Sequence, residues 1–178
     1  MELETTIRRR HSIRRYSKKY VNWKYVVSIL DTSRFAPFAG NICSIRLIVV
    51  TDKEKIQQLS EAAKQDFIAV APVVVVVCSD IKLVMLAYGK RGYMYSKQQA
   101  GAAIQNMLLK ITELGLASCW IGAFDDNAIR NILNIPEEIE IEAILPIAHK
   151  SWIREVKRKK TELRDIVFFN RYGNKKRK

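Results

Sequence analysis

The segment Arg10-His11-Ser12-Ile13-Arg14 places two guanidinium groups, a hydroxyl and an imidazole side by side. In an extended stretch residues 10, 12 and 14 point the same way, because side chains alternate across a strand. Arg, Ser and Arg on one side suit a phosphate monoester, which takes bidentate and charge-assisted donors. A solvated basic face has the same composition. A second segment, Ala36-Pro37-Phe38-Ala39-Gly40-Asn41, is small and rigid apart from Phe38. Gly40 permits close backbone approach, and Asn41 offers both a donor and an acceptor. Such a loop can read the edge of a heterocycle, or it can simply turn a helix into a strand. A third segment, Ser118 to Phe124, is apolar with one glycine, so its backbone N–H groups could face a ligand or line the core.

Other chemistry is missing. The glycines fall at 40, 89, 92, 101, 115, 122 and 173, and none is separated from another by a single residue, so no GxGxxG dinucleotide fingerprint exists. No Walker A, HExxH or GxSxG motif occurs. The three cysteines, Cys43, Cys78 and Cys119, are odd in number and widely spaced, with no CxxC. That pattern argues against a disulfide framework or a zinc site and suits a reducing cytoplasm. His11 and His149 are the only histidines, and no metal is expected. The longest apolar run, 68–78, has eleven residues against about 20 for a membrane span, and no apolar stretch follows the basic start. The expectation is a cytoplasmic protein with no membrane segment.

The elements that must position these segments can be read from periodicity. Residues 2–10 suit a short helix. Asn22 caps a helix with Trp23, Val26, Val27, Ile29 and Leu30 on one face, ending before Pro37. Ile45 to Thr51 is a strand, and Asp52 caps a helix with Ile56, Leu59 and Ala63 inward. Val73 to Cys78 is a continuous branched run, as in a strand buried on both faces. Residues 81–94 are aromatic and ambiguous. Residues 97–114 carry Ala100, Ile104, Met107, Leu108, Ile111 and Leu114 at helical period, with Gly115 as C-cap. Asp125 or Asp126 caps a helix to about Leu133, and residues 140–148 alternate as a half-buried strand. Strands and helices mix without a βαβαβ run, so the class is α+β in one domain, 1–170, with a basic tail at 171–178.

The 178 residues carry a net charge of +13. The excess sits at the ends: residues 1–24 are net +6 and residues 150–178 net +9, while 25–149 are net −2. A nucleic-acid-binding role for the basic termini, including Lys175-Lys176-Arg177-Lys178, is therefore an alternative reading, although no such fold motif is present.

Taken together and in order, these segments resemble the FMN-dependent nitroreductase family. Arg10, Ser12 and Arg14 match its Arg-x-Ser-x-Arg signature. The 36–41 loop matches its Ala-Pro-Ser-x-x-Asn loop. Tyr88-Gly89-Lys90-Arg91-Gly92, the helix from Ala100, Leu114-Gly115-Leu116 with Trp120 to Phe124, and Leu163 to Val167 follow the family's later pattern. The match runs over roughly 7–168. Departures are Phe38 for the loop serine, Cys43 for a common Gln, Ser44-Ile45 for Pro-Trp, Gln99 for a common Asp, and Ala148 for a glycine.

The resemblance implies a nitroreductase-like fold, with a central, mostly antiparallel sheet flanked by helices in an intertwined homodimer. It implies FMN as cofactor, NAD(P)H as electron donor, and a small acceptor such as a nitroaromatic or quinone reduced by ping-pong hydride transfer through flavin N5. No catalytic side chain is required. Arg10, Ser12 and Arg14, with the His11 backbone, would hold the phosphate and ribityl chain. A basic residue among Arg158 to Lys160, best Lys160, would close on the phosphate. Pro37, Phe38, Ala39, Gly40, Asn41 and Cys43 would meet the ring from the other subunit. Ile121, Gly122 and Ala123 would pass near N5. Tyr88, Tyr93 and Tyr95 would line the substrate slot, and Val21 and the 166–169 patch would be exchanged between subunits. Dehalogenation or ring cleavage on the same fold is a further alternative.

Overall fold

The computed structural model describes residues 1–151 and 160–177. Three antiparallel strands form the sheet: β2 (Ile45–Val50), β3 (Val73–Asp80) and β4 (Ile139–Ile147), with β3 in the centre. Val75 stands opposite Val49 on one side and Leu145 on the other. Every residue from Val73 to Ser79 is buried, as a branched run covered on both faces requires. The strand read as half-buried is more enclosed than its alternation suggested. Residues 143–147 of β4 are all buried, because the segment after Gly115 runs antiparallel along its outer edge through bridges at Ala117–Ala148 and Ile121–Ile144. Val77 opposes Ala143 and Cys78 opposes Ile141, so Glu142 is the extra residue of a bulge.

Two hydrophobic layers cover the sheet. One face packs Val74, Val76 and Cys78 against α3 (Lys53–Ala62) and α6 (Asp126–Leu133). The other packs Val73, Val75 and Val77 against α2 (Trp23–Ser33) and the 23-residue α5 (Arg91–Glu113). α5 presents Ala100, Ala103, Ile104, Met107 and Ile111 inward, the i, i+3, i+4, i+7 stripe of a helix on a sheet. Burying each of its large side chains contributes about 1.5–3 kcal/mol.

Local chemistry sets the helix ends. Asn22 Oδ1 accepts from Lys24 N–H at 2.9 Å, Asp52 Oδ1 from Lys55 N–H at 2.9 Å, and Asp125 Oδ1 from Ala128 N–H at 3.1 Å. Gly115 closes α5 at φ +71°. Of the face expected on α2, Val26 and Ile29 are buried, whereas Trp23 and Val27 lie exposed. The ambiguous stretch forms α4 (Ile81–Tyr88) and the first turn of α5, six residues earlier than periodicity placed its start. α4 is apolar on nearly every side yet buries only Val84, so no single stripe marks it.

α1 (Leu3–Arg9) precedes the basic segment. A two-residue ladder joins β1 (Tyr16–Ser17) to β5 (His149–Lys150), pairing Tyr16 with Lys150, and Ser151 N–H donates to Arg15 O at 3.1 Å. Periodicity assigned no element to residues 16–17; their partner stands more than 130 residues away, beyond any local pattern. Val21, expected to be exchanged between subunits, is instead buried within its own chain beside α2 and α5. After α7 (Leu163–Ile166) the chain folds back locally, with Phe169 N–H donating to Asn174 O at 2.8 Å and the Phe168 and Tyr172 rings 4.6 Å apart. No helix among the described residues is long and apolar enough to cross a membrane.

α4 crosses the start of α5 at Gly92, where an added Cβ would fall 2.5 Å from Val84 O and 2.6 Å from the Met85 backbone. Gly92→Ala should therefore cost about 1–3 kcal/mol of stability, as overpacking does. Gly101→Ala, whose Cβ would meet only the Trp120 ring at 3.8 Å, should be neutral or stabilising by up to about 1 kcal/mol. Urea unfolding of the two variants against the parent checks both.

Candidate functional site

The Arg10–Arg14 segment leaves α1 in extended conformation and lies beside Ser118, where Ile13 N–H donates to Ser118 O at 2.9 Å. A recess of about 100 Å³ opens there between α1 and the C-terminal half of α5. Arg9, Arg10, His11 and Lys150 stand around it, Ile111 forms part of its apolar wall, and no acidic side chain among the described residues lines it. Ser118 also lines the recess, and its hydroxyl is buried with no hydrogen-bond partner among the described residues. A recess bordered by several cations suits an anionic group. The β1–β5 ladder creates it, since it draws the basic C-terminal stretch at Lys150 against the basic N-terminal one. Ser12 is half-buried and Arg14 exposed; neither lines the recess, so the expected grouping of residues 10, 12 and 14 on one side is not met there, where Arg9, His11 and Ile13 join Arg10 instead.

Beyond Ser118 the chain passes Trp120 to Ala123. Ile121 is buried and both its backbone groups pair with Ile144, at 3.1 and 2.9 Å. Gly122 and Ala123 are exposed, and their N–H groups have no backbone partner among the described residues. A Cβ at Gly122 would meet nothing within 4 Å, so this strip is open to a flat ligand. Trp120 lies against Gly101 of α5.

The loop Pro37–Asn41 is built elsewhere. Ala39–Asn41 form one 3-10 turn in which Gly40 and Asn41 both take φ +57°. The Gly40 Cβ position lies 2.6 Å from Tyr88 Oη, so only glycine admits the tyrosine there. Tyr88 and Tyr95 make an edge-on pair at 5.3 Å, bringing two of the three expected slot tyrosines to this loop. Tyr93 instead lies under Lys97 Nζ at 5.1 Å. Lys97 in turn donates to Glu140 Oε2 at 2.9 Å and stands 3.2 Å from Glu142 at the β4 bulge. Burial alone would lower the Lys97 pKa, but the two carboxylates outweigh it and the net shift is upward. Pro37 and Cys43 are exposed, while Phe38 and Ala39 are half-buried. Lys160 is exposed, and Arg158 lies outside the described residues.

One residue not anticipated as functional stands behind the loop. Gln99 on α5 is 4% exposed and faces the backbone of residues 39–44. Gly101 lies two residues on, about 200° around the helix at 100° per residue. α5 thus stands between the loop, held at Gln99, and the Trp120–Ala123 strip, which meets it at Gly101. The oxyanion recess, walled by Thr112, lies about 20 Å further along the helix axis from Gln99 at 1.5 Å per residue. In one copy of the chain the loop and the strip with the recess therefore lie on opposite sides of one helix. Lys150 escaped the sequence reading; Ser118 entered it only as the start of an apolar segment and Gln99 only as a departure from the family pattern, with no role for either side chain. The signal for Gln99 was a polar residue at the head of the buried 99, 103, 107 stripe.

The nitroreductase family model matches residues 7–149. The chain is 37% identical over 120 residues to a Methanocaldococcus jannaschii protein provisionally named a nitroreductase, a match covering 66% of this chain and 58% of that one. It is 33% identical over 145 residues to an Archaeoglobus fulgidus protein provisionally named NADH dehydrogenase/NAD(P)H nitroreductase, covering 79% and 80%. Among solved structures, an FMN-dependent nitroreductase of Clostridium difficile superposes with a TM-score of 0.80 at 27% identity, covering 94% and 98% of the two chains.

The cysteines yield a prediction. Cys43 is exposed, whereas Cys78 and Cys119 are buried. Burial pushes the Cys78 thiol up to about 12, with the Glu142 charge adding to it. A thiol-specific label should modify Cys43 rapidly in the native protein and reach Cys78 and Cys119 only in denaturant. Peptide mass mapping checks this.

Proposed function

The chain belongs to the nitroreductase family, and on that premise we propose that it is an FMN-dependent NAD(P)H oxidoreductase whose sites are shared between two copies. The observation that carries this reading is the separation of the two half-sites by α5. A homodimer can bring the loop of one copy over the strip and recess of the other, which one copy cannot do for itself.

The residues present fit FMN. The recess has the size and charge for a phosphate group, and the buried Ser118 hydroxyl has a hydrogen bond still to make. Arg10 would hold the phosphate there, with Ser12 and Arg14 following the ribityl chain and a basic residue of 158–160 closing over it. Gly122 and Ala123 offer free backbone donors along an open strip, suited to the polar edge of a flavin ring. Ile121 serves by fixing that strip to β4 rather than by its own N–H. The partner's copy of the 37–41 loop would cover the ring, with Asn41 at its edge and Cys43 at its rim.

When bound, FMN supplies hydride chemistry, accepting reducing equivalents from NAD(P)H and passing them to a small acceptor such as a nitroaromatic or quinone. The chain supplies orientation, fixed backbone dipoles and apolar walls. Tyr88 and Tyr95 would border the slot in which donor and acceptor take turns, a ping-pong order imposed by one shared space.

The purified protein should be yellow and release FMN on denaturation, identified by mass. It should run as a dimer, and NAD(P)H oxidation should require an added acceptor. Arg10→Ala should weaken FMN binding by about 10–100-fold, the worth of one charge-assisted contact. A colourless protein that takes up no added FMN overturns the reading.

A further inference from the structure

Gln99 lies on the buried stripe of α5, where its neighbours Ala100, Ala103 and Ile104 are apolar. In the amide orientation that satisfies every neighbour, its carboxamide N–H₂ donates to Ile42 O at 3.2 Å and to Ser44 Oγ at 3.0 Å. Its carbonyl accepts from Ala39 N–H at 3.0 Å. The three partners bracket the turn in which Gly40 and Asn41 both take positive φ. Glycine and asparagine enter that region more readily than other residues, so the turn's own sequence permits the conformation. The turn's own bonds, Asn41 N–H to Phe38 O and Ile42 N–H to Ala39 O, at 3.0 Å each, close it without fixing it to the body. Gln99 does the fixing, from a helix that is itself locked to the sheet.

We infer that Gln99 is the positioning residue that sets the conformation and reach of the 39–42 turn, and through it the wall the turn presents to the partner subunit's cofactor. This rests on the FMN reading above. The chemistry demands an amide. A carboxylate at 99 accepts from Ala39 but repels the Ile42 carbonyl, and an aliphatic side chain leaves Ala39 N–H and Ile42 O unpaired. A carboxyl group regains one donor when protonated, so Gln99→Glu converts the clamp into a pH-dependent one.

The test compares the parent with Gln99→Met and Gln99→Glu by two readouts. The first is amide hydrogen exchange across 36–44 in cofactor-free protein. Gln99→Met should speed exchange at Ala39 by tenfold or more, with the β3 and α5 core unchanged. The second is FMN titration followed by flavin fluorescence between pH 5 and 8. Gln99→Glu should bind FMN about tenfold more weakly than the parent at pH 8 and approach it at pH 5, because a buried carboxyl takes up a proton in that range. A parent that binds no FMN defeats the FMN reading, and the exchange readout still decides the role of Gln99. Exchange in the 39–42 segment equal to the parent's in both variants overturns the inference. So does a Gln99→Glu to parent affinity ratio that stays flat with pH.

Discussion

The packing of α5 across one face of the sheet decides where anything can bind. Its Ala100, Ile104, Met107 and Ile111 stripe locks it against Val73, Val75 and Val77. Residues on and beside that stripe then face fixed directions. Gln99 is turned to the 39–44 loop, Gly101 to Trp120, and Thr112 to the recess at Ser118. Small residues in the first half of the helix let neighbours close in, and the Glu140–Lys97–Glu142 tie fastens that half to the β4 bulge. Because the helix is rigid, the half-sites on its two sides are held apart as firmly as the core is packed. That separation is what supports the proposed composite site made from two copies.

The net charge of +13 takes on a local meaning in this fold. The body is nearly neutral and the two ends are basic, and the β1–β5 ladder joins the inner parts of those ends. Arg9, Arg10 and Lys150 thereby border one small recess, and cations gathered around one recess favour an anionic ligand there. Lys175, Lys176 and Arg177 lie outside that recess; Lys175 Nζ donates to Arg164 O and sits 4.1 Å over the Phe168 ring, which gives it a local structural role.

What could be read from the residues was what local physics determines. The caps at Asn22, Asp52 and Asp125 bond backbone groups two or three residues away, so short patterns reveal them. The branched run of β3 reads as a central strand because only full burial tolerates it. The family signature at Arg10, Ser12 and Arg14 and the 36–41 loop marked the segments on which the proposed site rests, though Ser12 and Arg14 stand outside the recess that Arg10 lines. The rest depended on contacts between distant residues. β1 is two residues long and exists only through β5. α4 lacks a polar face, so periodicity had nothing to detect. Ser118 looked like part of an apolar connection until its hydroxyl was seen without a partner. Gln99 stood out only as a polar residue on an apolar stripe, and its meaning came from the loop backbone opposite it.

The central claim, that each site draws its recess and strip from one copy and its loop from another, is tested most directly by mixing subunits. One variant carries Arg10→Ala with Arg14→Ala; the other carries Gly40→Val with Asn41→Ala. Each homodimer should be devoid of FMN-dependent NAD(P)H oxidation. Co-expressed and isolated as a heterodimer with two different tags, they should recover about half the parent's FMN content and activity, since one of the two sites is then assembled from intact halves. A heterodimer as inactive as its parents would contradict the account, because it would mean that both halves of a site belong to the same chain.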